Sequence, residues 1–129
     1  MRIVLVHPAG SNWVPGEKDI TATANRMAPL GLLSIAAYLS REGHEVFVHD
    51  CLGPHAVSGT AANARLVLER DPDLVGFSAT TSGFLDAWEM AAAIKAARPE
   101  VVTVFGGVHV SALEGALLER FDAIDYLCP

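Results

Sequence analysis

No apolar run in the sequence approaches the roughly 20 residues that a membrane-spanning helix needs, so no membrane partner is expected. The start, Met1-Arg2-Ile3-Val4-Leu5-Val6-His7-Pro8, holds too short an apolar stretch for a signal peptide, and the expected compartment is the cytoplasm. Basic charge is scarce. Nine Lys and Arg stand against fifteen Asp and Glu, the net charge is −6, and no Lys/Arg stripe offsets it. Nucleic acid is therefore not an expected partner. There are only two cysteines, Cys51 and Cys128, and their spacing makes no metal site. Charged residues are 19% and hydrophobic residues 51% of 129, a balance that excludes disorder and gives one domain with a sizeable core.

What is present is a regular alternation. Arg2 to Val6 reads as a buried strand, followed by a connection from His7 to Ala28 rich in Pro, Gly, Ser, Asn and Thr. A loop of that length in a compact domain is more often functional than idle. Pro29 to Glu42 reads as a helix with Leu32, Ile35, Ala36 and Leu39 on one face, Pro29 in the first turn and Gly43 at C′. Glu45 to His49 is a second strand. Val57, Ala61, Ala64 and Leu68 mark a second helix that ends before Asp71-Pro72. Asp73 to Ser78 is a third strand. Phe84, Ala87, Trp88, Ala91 and Ile94 mark a third helix, stopped by Pro99. Val101 to Phe105 is a fourth strand. A capping-box pattern, Ser111 with Glu114, opens a fourth helix through about Arg120, and Ala123 to Leu127 is a fifth strand.

This order predicts an α/β fold, a Rossmann-like (flavodoxin-like) doubly wound five-stranded parallel sheet, with strand order 2-1-3-4-5. That order puts strands two and five at opposite edges, too far apart for Cys51 and Cys128 to pair, so both are expected as free thiols. Ligands in such sheets bind at the carboxyl ends of the strands. Those ends carry His7-Pro8-Ala9-Gly10-Ser11, Ser78-Ala79-Thr80-Thr81-Ser82-Gly83 and Gly106-Gly107-Val108-His109. They offer hydroxyls and backbone N–H groups rather than acid–base machinery.

Ser78, Thr80 and Thr81 could hydrogen-bond a ligand; the plainer alternative is that Thr81 or Ser82 caps the third helix. Gly106 and Gly107 could admit a ligand to the backbone, or serve a turn that needs positive φ. His7 and His109 each read as a ligand contact or as an ordinary rim residue. His44, His49 and His55 lack metal-ligand spacing and read as surface residues. Asp50 sits where an acid often meets a ribose, but the GxGxxG turn of that arrangement is absent. No catalytic residue and no metal-ligand set emerges. A receiver domain would need acids where His7-Pro8 and Ser78 stand. A flavodoxin would need a phosphate loop running directly into the first helix.

Taken together, several segments resemble the N-terminal cobalamin-binding domain of B12-dependent radical SAM proteins. They are Ile3 to Pro8, Pro29-Leu30-Gly31 with the helix through Leu39, Gly43 to Val46, Pro72 to Ser78, Phe105 to Leu113, and Asp125-Tyr126. The resemblance implies cobalamin held base-off, its nucleotide tail in a cleft beside the sheet. Ser78, Thr80 and Thr81 would line the tail, and Gly106, Gly107, Val108 and His109 would border it. The corrin would lie across the rim against His7, Pro8 and the Pro29-Leu30-Gly31 turn. Methionine-synthase-like B12 domains carry Asp-x-His-x-x-Gly, whose histidine ligates cobalt from below. Counting back from Gly31, this chain has Ala28 and Arg26 in the His and Asp places. The resemblance therefore implies no lower histidine ligand, and His7 is the one histidine that could supply another.

The family also implies a following radical SAM domain, which would carry S-adenosylmethionine and a 4Fe-4S cluster. The last residues, Ile124 to Pro129, read as a strand with nothing after it, so the expectation is a cobalamin-binding fragment (1–129) of a longer methyltransferase or cyclase. The alternative is a stand-alone flavodoxin-like regulatory or nucleotide-binding domain.

Overall fold

The unbroken apolar run Ile3 to Val6 suits the first strand, β1 (Arg2–His7), to the interior of a parallel sheet, where a strand is buried on both faces. The computed structural model describes residues 1–10 and 27–129. The elements that follow are α1 (Leu30–Arg41), β2 (Glu45–Asp50), α2 (Thr60–Leu68), β3 (Leu74–Ser78), α3 (Phe84–Ala97), β4 (Val102–Gly106), α4 (Val108–Leu113), α5 (Ala116–Arg120) and β5 (Tyr126–Cys128). The five strands form one parallel sheet in the order β2-β1-β3-β4-β5, as the alternation predicted. None of the described helices is long and apolar enough to cross a membrane.

The two faces of the sheet are unequally covered. Val4, Val6, Val75, Phe77 and Phe105 pack against α2 and α3 in the larger core. Phe105 is fully buried, stacked on Phe77 at 4.7 Å between ring centres with Phe84 edge-on at 5.9 Å. The opposite face buries Ile3 and Leu5 against Leu32 of α1, with Ala36, Leu39, Val46, Val48 and Leu74 partly buried around them. Among the described residues, α1 is the one helix in that second cluster.

The end of α1 is a Schellman turn. Gly43, at φ +91°, donates its N–H to the Ser40 carbonyl, and His44 donates to Leu39. Other local expectations are corrected. Ile35 is 50% exposed, so the inward stripe of α1 is Leu32, Ala36 and Leu39. Val57 precedes α2 and is exposed, as is Ala61; Ala64 faces inward as expected, and Asn63 and Val67 join it. Asn63 is buried because His49 binds its side-chain oxygen at 2.8 Å while its amide donates to Val57 and Gly59 carbonyls. His49 is thus a half-buried structural histidine rather than a surface one.

The capping box also fails. Helix α4 begins at Val108, three residues before Ser111, whose hydroxyl donates back to the Gly107 carbonyl at 3.3 Å. Glu114 stands at φ +43° and ends that helix, so two short helices replace one. Ala123 and Ile124 are buried but precede β5, which pairs with β4 from Tyr126.

Asp125 ties this last strand to the sheet. Its carboxylate accepts the Thr103 N–H at 2.8 Å and is paired with Lys95. Burial pushes its pKa up, but the Lys95 and Thr103 donors outweigh that and hold it below the ordinary value. A depressed folded pKa stabilises the protein above the unfolded value of about 3.9, and the contribution disappears as pH falls through the folded pKa. Asp125→Asn is therefore expected to lower stability at neutral pH and to lessen its further fall in acid. Urea midpoints of both proteins at neutral and acid pH check this.

Candidate functional site

Residues paired in register across a parallel sheet share a face. Leu5 lies on the α1 side, so His7, two residues on, does too. His7 pairs with Asp50, Ser78 with Gly106, and Gly106 with Cys128. The Val6–Phe77 pairing puts Ser78 next to His7. Asp50, His7, Ser78, Gly106 and Cys128 therefore form one row across the carboxyl end of the sheet, on the less covered face. Glycine and serine in the middle of the row leave its floor low. Three sequence-predicted site residues, His7, Ser78 and Gly106, are brought together here.

At one end of the row His7 Nδ1 lies 3.0 Å from Asp50 Oδ1, and both side chains are about three-quarters buried. The same oxygen accepts the Leu52 N–H at 3.0 Å. An open pocket adjoins this pair, lined by His7, Pro8, Ala28, Pro29, Leu52 and Thr80 among others. The side chain of Ala28 is only a methyl group, and its carbonyl accepts the Leu30 N–H. Leu30 and Gly31 follow on the first turn of α1, both exposed. Arg26 and Ser11 lie outside the described residues, as does most of the connection from His7 to Ala28.

The remaining predicted residues gather where the β3 and β4 loops meet. Gly107 stands at φ +100°, ψ 176°, as the N-cap of α4. An added Cβ there would lie 2.7 Å from the Ala79 carbonyl oxygen and 3.0 Å from its nitrogen. Ala79 in turn donates its N–H to the Gly106 carbonyl and accepts from His109. Gly107 thus serves a close approach of two backbones. Gly106 has an ordinary φ, and its Cβ would meet the Cys128 carbonyl at 3.1 Å. His109 Nδ1 reaches Thr81 Oγ1 at 3.2 Å, and its ring packs on Phe84 at 4.5 Å. Val108 is exposed beside it. Neither Thr81 nor Ser82 caps α3. Gly83 is its N-cap, and its N–H is accepted by Thr80, whose hydroxyl also meets Ser82 at 3.1 Å.

The site offers hydroxyls, backbone amides and the imidazoles of His7 and His109. Among the described residues no three His, Cys, Asp or Glu side chains gather closely enough to hold a metal ion. Both cysteines are free, as expected. Cys51 is buried in the larger core, and burial, helped by the Asp50 and Asp86 charges, pushes its thiol up to about 12. Cys128 is exposed. A thiol reagent is expected to titrate one cysteine rapidly in the native protein and two after denaturation. Two rapid thiols would show that Cys51 is accessible. From the sequence Asp50 suggests only a ribose contact and Leu52 no role; the pairing of β1 with β2 is what brings them in.

Comparison with known proteins gives this site a context. The family model described as the B12 binding domain matches residues 18–128. An uncharacterized methyltransferase of Pyrococcus horikoshii is 32% identical over 125 residues, which is 97% of this chain and 26% of that protein. The anaerobic magnesium-protoporphyrin IX monomethyl ester cyclase of Rubrivivax gelatinosus is 26% identical over 125 residues, 97% of this chain and 21% of the cyclase. The chain thus spans about a quarter or less of the length of these relatives.

Proposed function

The chain belongs to the B12-binding domain family, whose cofactor is cobalamin, and from that premise we propose that it holds cobalamin base-off as the cofactor module of a radical SAM methyltransferase or cyclase. The observation that carries this reading is the row His7–Ser78–Gly106. A displaced nucleotide tail is long, flat at its base and rich in hydrogen-bonding groups. It needs a low floor with a few polar side chains, and the small residues at 78 and 106 on the less covered face fit that need. The corrin would lie across the pocket bordered by His7, Pro8, Pro29 and Thr80, against Leu30 and Gly31. Thr81, Gly107, Val108 and His109 would flank the tail from the β3 and β4 loops.

When bound, cobalamin supplies a cobalt centre able to carry a methyl group. This chain's residues would bind and orient it, and the row across the strand ends would give its nucleotide tail a place to lie away from the metal. The Ala28 side chain on the pocket wall has no lone pair to offer, so position 28 would supply cobalt with no side-chain ligand. The wider reading rests on the two relatives, a methyltransferase and a cyclase, both about four times as long as this chain or longer. In it, the domain is one part of a longer protein in the cytoplasm. A radical SAM domain there holds S-adenosylmethionine and the 4Fe-4S cluster.

Ala28→His tests the lower-face assignment. Cob(II)alamin bound to this variant is expected to show nitrogen splitting in its electron paramagnetic resonance spectrum. With uniformly ¹⁵N-labelled protein that splitting should change its pattern. Identical spectra for the variant and the parent protein would contradict the placement of position 28 beneath cobalt.

A further inference from the structure

His7 and Asp50 form a pair that the tail-and-corrin reading leaves without a specific task. A carboxylate oxygen only accepts hydrogen bonds, so the contact of His7 Nδ1 with Asp50 Oδ1 at 3.0 Å requires the ring proton on Nδ1. In neutral imidazole this leaves Nε2 with a bare lone pair. The carboxylate is itself fixed, because the Leu52 N–H donates to the same oxygen. His7 also lines the rim pocket, and none of the described residues hydrogen-bonds its Nε2. When neutral, the ring therefore carries an acceptor of set tautomer that faces the open pocket and accepts from none of the described residues.

We propose that Asp50 is a positioning residue that presents His7 Nε2 as a hydrogen-bond acceptor to an N–H or O–H donor of the bound cofactor. The donor is a carboxamide of the corrin or a hydroxyl of the tail ribose. This rests on the cobalamin reading and adds to it a specificity element built from two strands. The pair holds the ring proton away from the ligand, so the site favours a donor and disfavours an acceptor at that point.

Three variants and two readouts test this. Asp50→Ala frees the ring, which then takes its intrinsically preferred Nε2–H form and turns a donor toward a donor. Its affinity for cobalamin is expected to fall about tenfold to a hundredfold, the range for leaving a partner group unsatisfied. Asp50→Asn keeps an oxygen for both His7 and Leu52 and is expected to stay within a few-fold of the parent. His7→Gln supplies an amide oxygen in place of Nε2. In that background Asp50→Ala should have no further effect. Nitrogen-15 NMR of the ring, without cofactor, should show Nδ1–H in the parent protein and in Asp50→Asn, and Nε2–H in Asp50→Ala. Repeating the titrations with cobinamide, which keeps the carboxamides but has no nucleotide, identifies the donor. An equal loss points to a carboxamide, and a loss confined to cobalamin points to the ribose.

The inference is overturned by an Nε2–H ring in the parent protein, by an unchanged affinity of Asp50→Ala, or by a loss that persists in the His7→Gln background. In those cases cobalamin still binds, so the cobalamin reading stands. Failure of the parent protein to bind cobalamin removes both.

Discussion

Replacing Ser78 by leucine is expected to weaken cobalamin binding about a hundredfold or more while leaving the unfolding midpoint close to that of the parent protein. The two halves of this result have different causes. Ser78 is half-buried on the less covered face, between His7 and Gly106, and lies opposite the aromatic core built on Phe77 and Phe105. A larger side chain there extends over the row rather than into packed protein, so stability changes little. A ligand lying along the row would meet it directly. Ser78→Ala removes only a hydroxyl and is expected to cost a few-fold to tenfold in affinity. Equilibrium titration with hydroxocobalamin, alongside urea unfolding, reads both quantities. Tight binding by Ser78→Leu would move the tail away from the row.

The second large effect falls on folding. Gly107→Ala is expected to destabilise the protein by about 2–5 kcal/mol, combining a backbone conformation essentially reserved for glycine with overpacking against a neighbouring chain segment. The neighbour is the Ala79 backbone, 2.7 Å from the added carbon, and both polar groups of Ala79 are already engaged by this turn. Neither side can yield without breaking those bonds. A loss of this size is a large fraction of the 5–15 kcal/mol that holds a typical domain together. Gly106→Ala is the contrast. Its φ is ordinary and its contact is with the carbonyl of Cys128 on an edge strand, so a loss under about 2 kcal/mol is expected. Denaturant midpoints rank the two. Equal and small losses would mean that the β3 and β4 loops are looser than the close approach of Gly107 to Ala79 implies.

The contrast between neighbouring glycines bears on what the sequence could say. Strand–helix alternation, with right-handed crossovers, was enough for the sheet order, because each crossover allows few placements. It also put His7, Ser78 and Gly106 at strand ends. It could not give the register that lines them up, nor separate a glycine that lowers the floor from one that lets two backbones touch. Ser111 and Glu114 misled for a similar reason. Ser-x-x-Glu has the spacing of a capping box, but a serine inside a helix can instead donate to the carbonyl four residues back, as Ser111 does to Gly107. The place of Asp50 after strand two suggests a ribose contact, and nothing local points to His7. Its partner lies 43 residues away on the neighbouring strand. Strand pairing alone makes them a couple.

In the proposed function this chain holds cobalamin with its tail displaced and offers cobalt no histidine from position 28. The most direct measurement is anaerobic titration of the protein with cob(II)alamin, followed by electron paramagnetic resonance of the bound form. The account predicts saturable binding of one cofactor per chain. The nitrogen splitting that free cob(II)alamin owes to its own benzimidazole should disappear, with no new splitting in its place. Absence of binding, or a bound spectrum that keeps the benzimidazole splitting, would contradict it.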